Sequence, residues 1–355
     1  MPALLKYHYP NPILLKAIRI FALFILALML GCNDNKGTEQ QPNGESAETA
    51  SKDTSALRNI TFLPYWVTNA QFAGYYVAEE MGIYKKYGIK LKVIQYQPFI
   101  TSNDLIKEGK ADFSALWLAN AIELKESGAD IVNITQMSSR SSLMMVSKKK
   151  RNIKTIKDLN GKKIGIWSGF EVQPKAFFKK YNLKSTLIPV GSTINLFLMD
   201  GLDVTHANWF DEYHSIINSG FNPDELNTFF YADYGLNFLE DGIYCLSDKL
   251  KKDPQLCKDF VQATLEGWMY AFENPEKALD IVVRIANEAK LPVNRVHQQW
   301  MLDRYKDLYI PKGKTTINTS LSEKDYNFVC SVLKESDLIK KIPTFTSFYH
   351  PVLKD

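Results

Sequence analysis

From residue 57 onward, apolar and polar residues follow two alternating patterns. In the segment 89–96 (IKLKVIQY) they alternate one by one, which is typical of a half-buried strand. In the segment 71–86 apolar side chains recur every three to four residues, which predicts an amphipathic helix that ends near Gly88. Because strand-like and helical segments take turns up to residue 147, we expect a mostly parallel α/β sheet.

A second α/β unit is predicted after the basic run at 148–151, and a helical tail follows it. In the first unit the predicted strands are 58–64, 89–96, 113–116, 131–135 and 142–147, and the predicted helices are 71–86, 102–108 and 119–127. In the second unit the predicted strands are 163–167, 185–190 and 204–209, and the predicted helices are 173–181, 193–200 and 211–218. In the tail the predicted helices are 255–273, 275–289, 293–303 and 323–335.

The first 31 residues are interpreted as an export signal. Basic residues precede an unbroken apolar run of eleven residues at 20–30, which matches a signal-peptide core. It is shorter than the about 20 residues that a transmembrane helix needs. The run closes with MLGC at 29–32, which resembles the lipobox of bacterial lipoproteins. That resemblance implies cleavage before Cys32 and lipidation of this residue, the alternative being a plain signal anchor in which the cysteine is incidental.

Residues 32–56 are predicted to be the lipidated cysteine and a disordered tether. Positions 33–56 contain no aromatic residue and no Leu, Ile, Val or Met, so they cannot bury enough apolar surface to fold. The 355-residue chain has a net charge of +4, but cleavage after residue 31 removes three basic residues and no acid. The remaining 40 basic and 39 acidic residues give +1, which argues against nucleic-acid binding.

The sequence carries no recognisable catalytic or metal-binding motif. GxGxxG, HExxH and GxSxG are absent, and the GKT at 313–315 lacks the earlier glycine that a phosphate-binding loop needs. Cys245, Cys257 and Cys330 form no CxxC pair, which argues against structural zinc and allows at most one disulfide. The acid pairs at 211–212 and 240–241 are interpreted as solvated charges. We therefore expect a protein that is not an enzyme and that has no catalytic residue, metal site or cofactor.

Aromatic residues make up 12% of the chain and follow several predicted strands. They include Tyr65, Trp66, Trp117, Trp167, Phe170 and Trp209. Ligands of open α/β sheets bind outside the carboxyl ends of the strands, so two facing sheets would collect these rings in one cleft suited to a flat heterocycle. Free backbone N–H groups where a helix begins, at Asn69 to Gln71, would suit an anion or a carbonyl oxygen. The alternative is that the rings only pack the core and the lobe interface.

Three segments resemble one family of solute-binding proteins of ABC importers, the thiamine-pyrimidine-precursor-binding family. NAQFAGYYVAEEMGIY at 69–84, with YGI at 87–89, resembles the opening motif of that family. DLNGKKIGIW at 158–167 is similar to its entry into the second lobe, and NWFDEY at 208–213 is similar to the stretch that carries an aromatic residue and an acid for the ligand. Sulfonate, nitrate and flavin binders share this fold and much of the pattern, so the resemblance specifies the ligand poorly.

The resemblance implies the type II periplasmic-binding-protein fold, in which two α/β lobes with parallel or mixed sheets are joined by a hinge. Lobe 1 would comprise residues 57–146 plus 243–355, with the C-terminal helices packed on it, and lobe 2 would comprise 147–242. The chain would cross between the lobes near 146–150 and again near 242–246. The ligand would be captured by hinge closure.

The resemblance also implies roles for individual residues. Trp66 would stack on a pyrimidine ring, and Glu212 would accept hydrogen bonds from an exocyclic amine, with Trp209 or Tyr213 beside it. YWVTN at 65–69 departs from the family pattern of Asp or Asn, Trp, any residue, Pro and Asn, so an acid expected beside the tryptophan is missing. Arg140, within SSRSS at 138–142, offers hydrogen-bond donors to an acidic ligand instead.

The sequence therefore predicts a lipid-anchored extracytoplasmic binding protein that captures a small aromatic nutrient, a thiamine pyrimidine precursor, for an ABC importer. Its expected partners are this ligand, the permease subunits and a membrane held through Cys32, and we expect a monomer that binds no nucleic acid. One alternative is a binder of a sulfonate or another small anion. Others are an enzyme like the pyrimidine-precursor synthases of the same superfamily, and a sensor that presents its closed form to a partner protein.

Overall fold

A computed structural model of the chain describes residues 56–95, 102–191 and 193–353. The predicted signal sequence, Cys32 and the predicted tether up to residue 55 lie outside the described residues. The described residues form one compact unit. Within the described ranges, none of the helices combines the length and the apolar character that crossing a membrane requires.

Ten strands form two mixed sheets of five strands each. In chain order they are β1 Arg58–Leu63, β2 Ile89–Val93, β3 Phe113–Leu116, β4 Ile131–Gln136, β5 Leu143–Lys148, β6 Lys163–Trp167, β7 Thr186–Val190, β8 Val204–Asn208, β9 Leu226–Phe230 and β10 Gly242–Leu246. The first sheet has the order β2-β1-β3-β10-β4, and the second has the order β7-β6-β8-β5-β9. In the first sheet β1 is parallel to β2 and β3, and β10 is antiparallel to β3 and β4. In the second sheet β6 is parallel to β7 and β8, and β5 is antiparallel to β8 and β9.

The helices fill the connections and most of the C-terminal third of the chain. They are α1 Ala73–Glu80, α2 Ile83–Lys86, α3 Ser102–Lys107, α4 Leu118–Glu126, α5 Val172–Lys180, α6 Asn195–Leu198, α7 Glu212–Asn218, α8 Ser247–Lys252, α9 Pro254–Glu273, α10 Pro275–Glu288, α11 Arg295–Tyr309, α12 Glu323–Glu335 and α13 Phe345–Phe348. A 3₁₀ turn, Ala70–Phe72, precedes α1, so the helix predicted at 71–86 is divided into three short pieces.

The helices α1 and α9 pack closely beside the first sheet. A Cβ atom at Gly74 of α1 would lie 2.2 Å from Cγ of Trp268, and one at Gly267 would lie 2.3 Å from the Gly74 carbonyl oxygen. Phe260 of α9 stacks on Phe113 of β3 with a ring-centroid distance of 4.0 Å. Glycine is therefore required at 74 and 267 because any side chain would separate the two helices.

The strand β5 belongs to the second sheet, where it pairs with β8 and β9, so the predicted end of lobe 1 at residue 146 is too late. The segment 242–246, predicted as a crossover, is the strand β10 of the first sheet. The chain instead passes between the sheets at 137–142 and at 231–241. The apolar residues of a segment such as 142–147 predict a strand, but only hydrogen-bond pairing decides which sheet that strand joins. The division into two lobes that move about a hinge remains a prediction.

Candidate functional site

One pocket lies where the carboxyl ends of strands from both sheets meet. Its first wall follows β1 and β3 and consists of Tyr65, Trp66, Gln71 and Trp117. Its second wall follows β6 and β8 and consists of Trp167, Phe170, Asn208, Phe210, Asp211 and Glu212. Parallel strands present their carboxyl ends at one edge, which is where α/β sheets bind ligands. The space left between the walls is about 30 Å³, which suits water-sized molecules only.

Aromatic rings from the two walls touch each other across the pocket. Phe170 of the second wall lies 5.8 Å from Trp66 and 5.0 Å from Trp117, measured between ring centroids. The Trp66 and Phe170 planes are nearly perpendicular, at 76°. Trp117 is buried, and its indole N–H has no hydrogen-bond acceptor among the described residues. The rings therefore pack the interface between the two walls and also line the pocket. The two interpretations of the aromatic pattern, a ligand cleft and interface packing, apply to the same residues.

Two half-buried carboxyl groups, Asp211 and Glu212, stand side by side in the second wall. Glu212 begins α7, and its Oε2 accepts a hydrogen bond of 2.9 Å from the backbone N–H of Asn208. Removal from water raises the pKa of Glu212 well above its usual range, and the nearby charge of Asp211 raises it further. Asp211 Oδ1 accepts from Nε2 of His297 at 2.8 Å. Among the described residues that line the pocket, none is Lys or Arg.

The structure brings six of the ten predicted ligand-binding residues into this pocket. They are Trp66, Gln71, Trp117, Trp167, Phe170 and Glu212. The neighbouring Asn69 is not in the lining, because its side-chain oxygen accepts from the backbone N–H of Gln71 at 3.1 Å and caps the 3₁₀ turn. Asn69 therefore stabilises the turn that carries Gln71, a residue of the pocket.

The other three predicted residues lie elsewhere. Trp209 and Tyr213 face α11: the Trp209 carbonyl accepts from the Trp300 indole at 2.9 Å, and the Tyr213 ring lies 6.4 Å from that indole. Arg140 forms an exposed ion pair of 2.6 Å with Asp233, and it does not line the pocket. The strand-end rule placed Trp209 in the cleft, but consecutive residues after a strand point in different directions.

Sequence reasoning left Tyr65, Asn208, Phe210 and Asp211 out of the predicted site. The last three lie inside the NWFDEY segment at 208–213 that carries the family resemblance, so the sequence predicts the segment but not these side chains. Tyr65 is one of the aromatic residues that follow predicted strands. Which of these side chains turn toward the pocket depends on the local path of the backbone, which the residue pattern does not encode.

A second acid pair, Glu240 and Asp241, is buried where the chain crosses between the sheets, with 1% of each residue exposed. The prediction that this pair is solvated is wrong, because protein donors replace water. Glu240 accepts from Ser141 Oγ at 2.7 Å and from the Ser142 backbone N–H at 3.0 Å, and so joins the two crossover segments. Burial raises the pKa of Glu240 to about 8.

Asp241 connects this crossover to the first wall of the pocket. Its Oδ1 accepts from the Tyr65 hydroxyl at 2.8 Å, and Tyr65 also lines the pocket. Burial raises the pKa of Asp241 to about 7, although the hydrogen bonds that it receives from Tyr65 and Tyr305 lower it.

The three cysteines of the described residues, Cys245, Cys257 and Cys330, are buried free thiols.

The chain matches a protein-family model described as NMT1/THI5 like over residues 69–278, and it belongs to that family. It is 25% identical over 293 residues to the riboflavin-binding protein RibY of Chloroflexus aurantiacus, which covers 77% of this chain and 80% of the relative. It is 22% identical over 255 residues to the 4-amino-5-hydroxymethyl-2-methylpyrimidine phosphate synthase of Legionella pneumophila, which covers 68% of this chain and 78% of that protein.

Solved structures confirm the fold. The periplasmic aliphatic sulphonate binding protein SsuA of Escherichia coli is similar with a TM-score of 0.64 and 13% identity, over 82% of this chain and 92% of SsuA. At such low identity the likeness concerns the arrangement of the chain, not the ligand. The predicted periplasmic-binding-protein fold of ABC importers is therefore correct.

Proposed function

We propose that this chain is the extracytoplasmic solute-binding protein of an ABC importer and that it captures an aminopyrimidine or a closely related flat, amine-bearing heterocycle. The observation that carries the proposal is the composition of the pocket. Aromatic rings from two walls enclose a space beside two adjacent carboxyl groups, with amide groups from Gln71 and Asn208 completing the lining.

The rings suit a flat aromatic ligand. Aromatic pairs attract each other in offset-stacked and edge-to-face arrangements, and Trp66 and Phe170 already meet edge to face. A heterocycle that separated them would gain a ring face from one wall and a ring edge from the other. The buried Trp117 indole would supply a hydrogen-bond donor to a ring nitrogen.

The carboxyl groups suit an amine-bearing ligand. A carboxylate accepts hydrogen bonds from an exocyclic amine, and a contact with a protonated ring is stronger because it is assisted by charge. Since the pKa of Glu212 is raised, this group can share a proton with a weakly basic ring nitrogen. The first wall lacks the acid that the family pattern has beside the tryptophan, since the segment at 65–69 is YWVTN. Asp211 and Glu212 supply carboxyl groups from the second wall instead.

The same features speak against a sulfonate or another small anion. Such a ligand would meet Asp211 and Glu212 and would find no Lys or Arg among the described residues of the lining. Arg140, the predicted partner of an anion, is exposed and paired with Asp233. A buried anion without a cation carries a desolvation cost of several kcal/mol.

Entry of a ligand requires the walls to separate, because about 30 Å³ is far smaller than a pyrimidine site. The segments 137–142 and 231–241 would serve as the hinge. Lipidation at Cys32, a monomeric state and docking to permease subunits complete the proposal. The MLGC segment at 29–32 supports lipidation, and the resemblance to solute-binding proteins of ABC importers supports docking to permease subunits. The relative named a synthase keeps an enzyme as the competing function.

Calorimetry on the full chain would test the ligand class directly. The probes are 4-amino-5-hydroxymethyl-2-methylpyrimidine, riboflavin and ethanesulfonate. We expect 1:1 binding of the aminopyrimidine and at least tenfold weaker binding by Trp66→Ala, since a lost stacking ring costs about 1.5 kcal/mol. Tighter binding of riboflavin would keep the function and replace the ligand.

Two outcomes would contradict the proposal. Binding of ethanesulfonate that tolerates Trp66→Ala would select the anion alternative, and iron-dependent formation of a pyrimidine by the purified chain would select the enzyme. Mass spectrometry of the exported protein, with Cys32→Ala as the matched variant, would test lipidation separately. We expect the mass of the acyl groups only in the unsubstituted chain.

A further inference from the structure

The helix α11 presents one face to the second wall of the pocket. His297, Trp300 and Arg304 lie three and four residues apart and therefore share that face. Nε2 of His297 lies 2.8 Å from Asp211 Oδ1, and Nδ1 of the same ring lies 2.9 Å from Nδ1 of His214 on α7. His297 is thus placed between a pocket carboxyl group and a second imidazole.

Aromatic contacts fix the two imidazoles in this arrangement. The His214 ring stacks on Trp300 with a centroid distance of 4.7 Å and an angle of 5° between the planes. The Arg304 guanidinium lies 4.6 Å from the Trp300 ring and 4.8 Å from the Trp209 ring. Trp209 and Tyr213, which do not line the pocket, therefore belong to the surface that α11 contacts.

The same helix, α11, also contacts the first wall. Gln298, the residue after His297, is buried, and its Oε1 accepts from the backbone N–H of Ala70 at 2.6 Å. Ala70 lies in the 3₁₀ turn that carries Gln71 of the pocket. Adjacent residues of one helix, His297 and Gln298, thus contact the two walls of the pocket.

The short distance between the imidazoles limits how many protons they hold. Two ring nitrogens 2.9 Å apart form a hydrogen bond in which one donates and the other accepts. Because Nε2 of His297 faces the Asp211 carboxylate, that nitrogen carries hydrogen. Protonation of both rings would set two N–H groups against each other, and the bond would be lost.

We propose that His297 is a positioning residue for ligand capture. It holds the Asp211 carboxyl group in the second wall and, through its hydrogen bond to His214, holds α7 against α11, which contacts the first wall through Gln298. We call these three residues the Asp211–His297–His214 joint. The inference rests on the proposed function for its ligand, but the joint itself is defined by contacts between protein groups. It predicts that acid weakens capture.

The charged and polar groups around the imidazoles set the direction of this effect. Burial lowers the pKa of His214, the charges of His297 and Arg304 lower it further, and Asp211 acts against them. The Asn218 amide lies 3.2 Å from His214 Nδ1 and carries no charge. A separated His214 would return to an ordinary pKa of about 6.5, so it would bind a proton more readily than in the joint. Acid below about pH 6.5 therefore favours separation of the walls.

Calorimetry with 4-amino-5-hydroxymethyl-2-methylpyrimidine at pH 7.5 and 5.5 tests the joint through binding. We expect His297→Ala to bind about tenfold more weakly at pH 7.5, as for loss of one charge-assisted hydrogen bond. His297→Gln keeps a donor for Asp211 but cannot titrate, so we expect affinity within about twofold of the unsubstituted chain at pH 7.5. Its loss of affinity at pH 5.5 should be several-fold smaller. An equal loss in both proteins would overturn the pH effect, and unchanged affinity of His297→Ala would overturn the positioning role.

A titration of ¹⁵N-labelled histidine by NMR tests the joint without any ligand. In the full chain we expect the midpoint of His214 below pH 6.5, and we expect it to rise in His297→Gln. An unchanged midpoint in that variant would overturn the joint even if the aminopyrimidine binds. Conversely, coupled titration in a chain that binds none of the three probes would support the joint and refute the proposed function.

Discussion

Two adjacent acid pairs, Asp211–Glu212 and Glu240–Asp241, look alike in the sequence but face different surroundings in the structure. The pocket pair is half-buried, and each carboxyl group receives a hydrogen bond from one side, from His297 or from the Asn208 backbone. The crossover pair is buried, and serine and tyrosine groups from other parts of the chain donate to it.

The difference shows that the role of a carboxyl group depends on how many hydrogen-bond donors the protein places around it. A carboxylate offers about four lone-pair sites, so the pocket acids have capacity left for a ligand. The crossover acids instead use that capacity to join segments of the protein. We therefore expect substitutions of the crossover pair to change stability and substitutions of the pocket pair to change affinity.

The largest expected effect is that of Glu240→Ala on stability. This change removes the acceptor from Ser141 Oγ and from the Ser142 backbone N–H, both buried. Donors left without a partner cost about 1–3 kcal/mol each, so we expect the free energy of unfolding to fall by about 3 kcal/mol. Urea unfolding measures this quantity.

The matched control is Glu335→Ala, because Glu335 is exposed at the last residue of α12. We expect this control to stay within about 0.5 kcal/mol of the unsubstituted chain. If Glu240→Ala were as mild as the control, the crossover acid would not join the two segments.

The next effect concerns the pH dependence of stability. Folding raises the pKa of Glu240 to about 8, so the folded chain keeps a proton that the unfolded chain loses above about pH 4.5. The free energy of unfolding should therefore decrease as pH rises, by about 2 kcal/mol between pH 6 and 8. Glu240→Gln cannot titrate and should reduce this slope in urea unfolding at the two pH values. The same slope in both proteins would show that Glu240 is ionised when folded.

A smaller effect is expected for Glu212→Ala, and on affinity rather than stability. Loss of one charge-assisted contact should weaken binding of the aminopyrimidine about tenfold, which corresponds to about 1.4 kcal/mol. Glu212 accepts a hydrogen bond from the Asn208 backbone N–H, whereas Glu240 accepts from two groups of the other crossover, so the midpoint of thermal unfolding should change less than in Glu240→Ala. Calorimetry and thermal unfolding of the same preparation separate the two readouts. A large loss of stability with unchanged affinity would make the two acid pairs equivalent.

The smallest effect is expected for Arg140→Ala. The Arg140–Asp233 pair is solvent-exposed on both sides, and exposed ion pairs contribute about 0–1 kcal/mol. Affinity for the aminopyrimidine should be unchanged, because Arg140 does not line the pocket. A tenfold loss in calorimetry would place this arginine in the site and revive the anionic ligand.

The sequence by itself determined most of the secondary structure and most of the aromatic lining, whereas the strands β9 and β10 were not predicted. The bounds of β3, β6 and α12 agree with the predicted 113–116, 163–167 and 323–335, because apolar periodicity is a local property of the chain. The position of Trp66, Trp117, Trp167 and Phe170 at or after the ends of strands predicted that they line the pocket, because the carboxyl ends of parallel strands share an edge.

Tertiary structure alone decided which sheet β5 joins, where the two acid pairs lie and what contacts them. Strand pairing and the bond between Asp211 and His297 join residues far apart in the chain, and no local pattern specifies such partners. An acid pair has the same residue types on a solvated turn and in a buried crossover. Its pKa and its role differ because the fold supplies donors and excludes water at one place and leaves room for a ligand at the other.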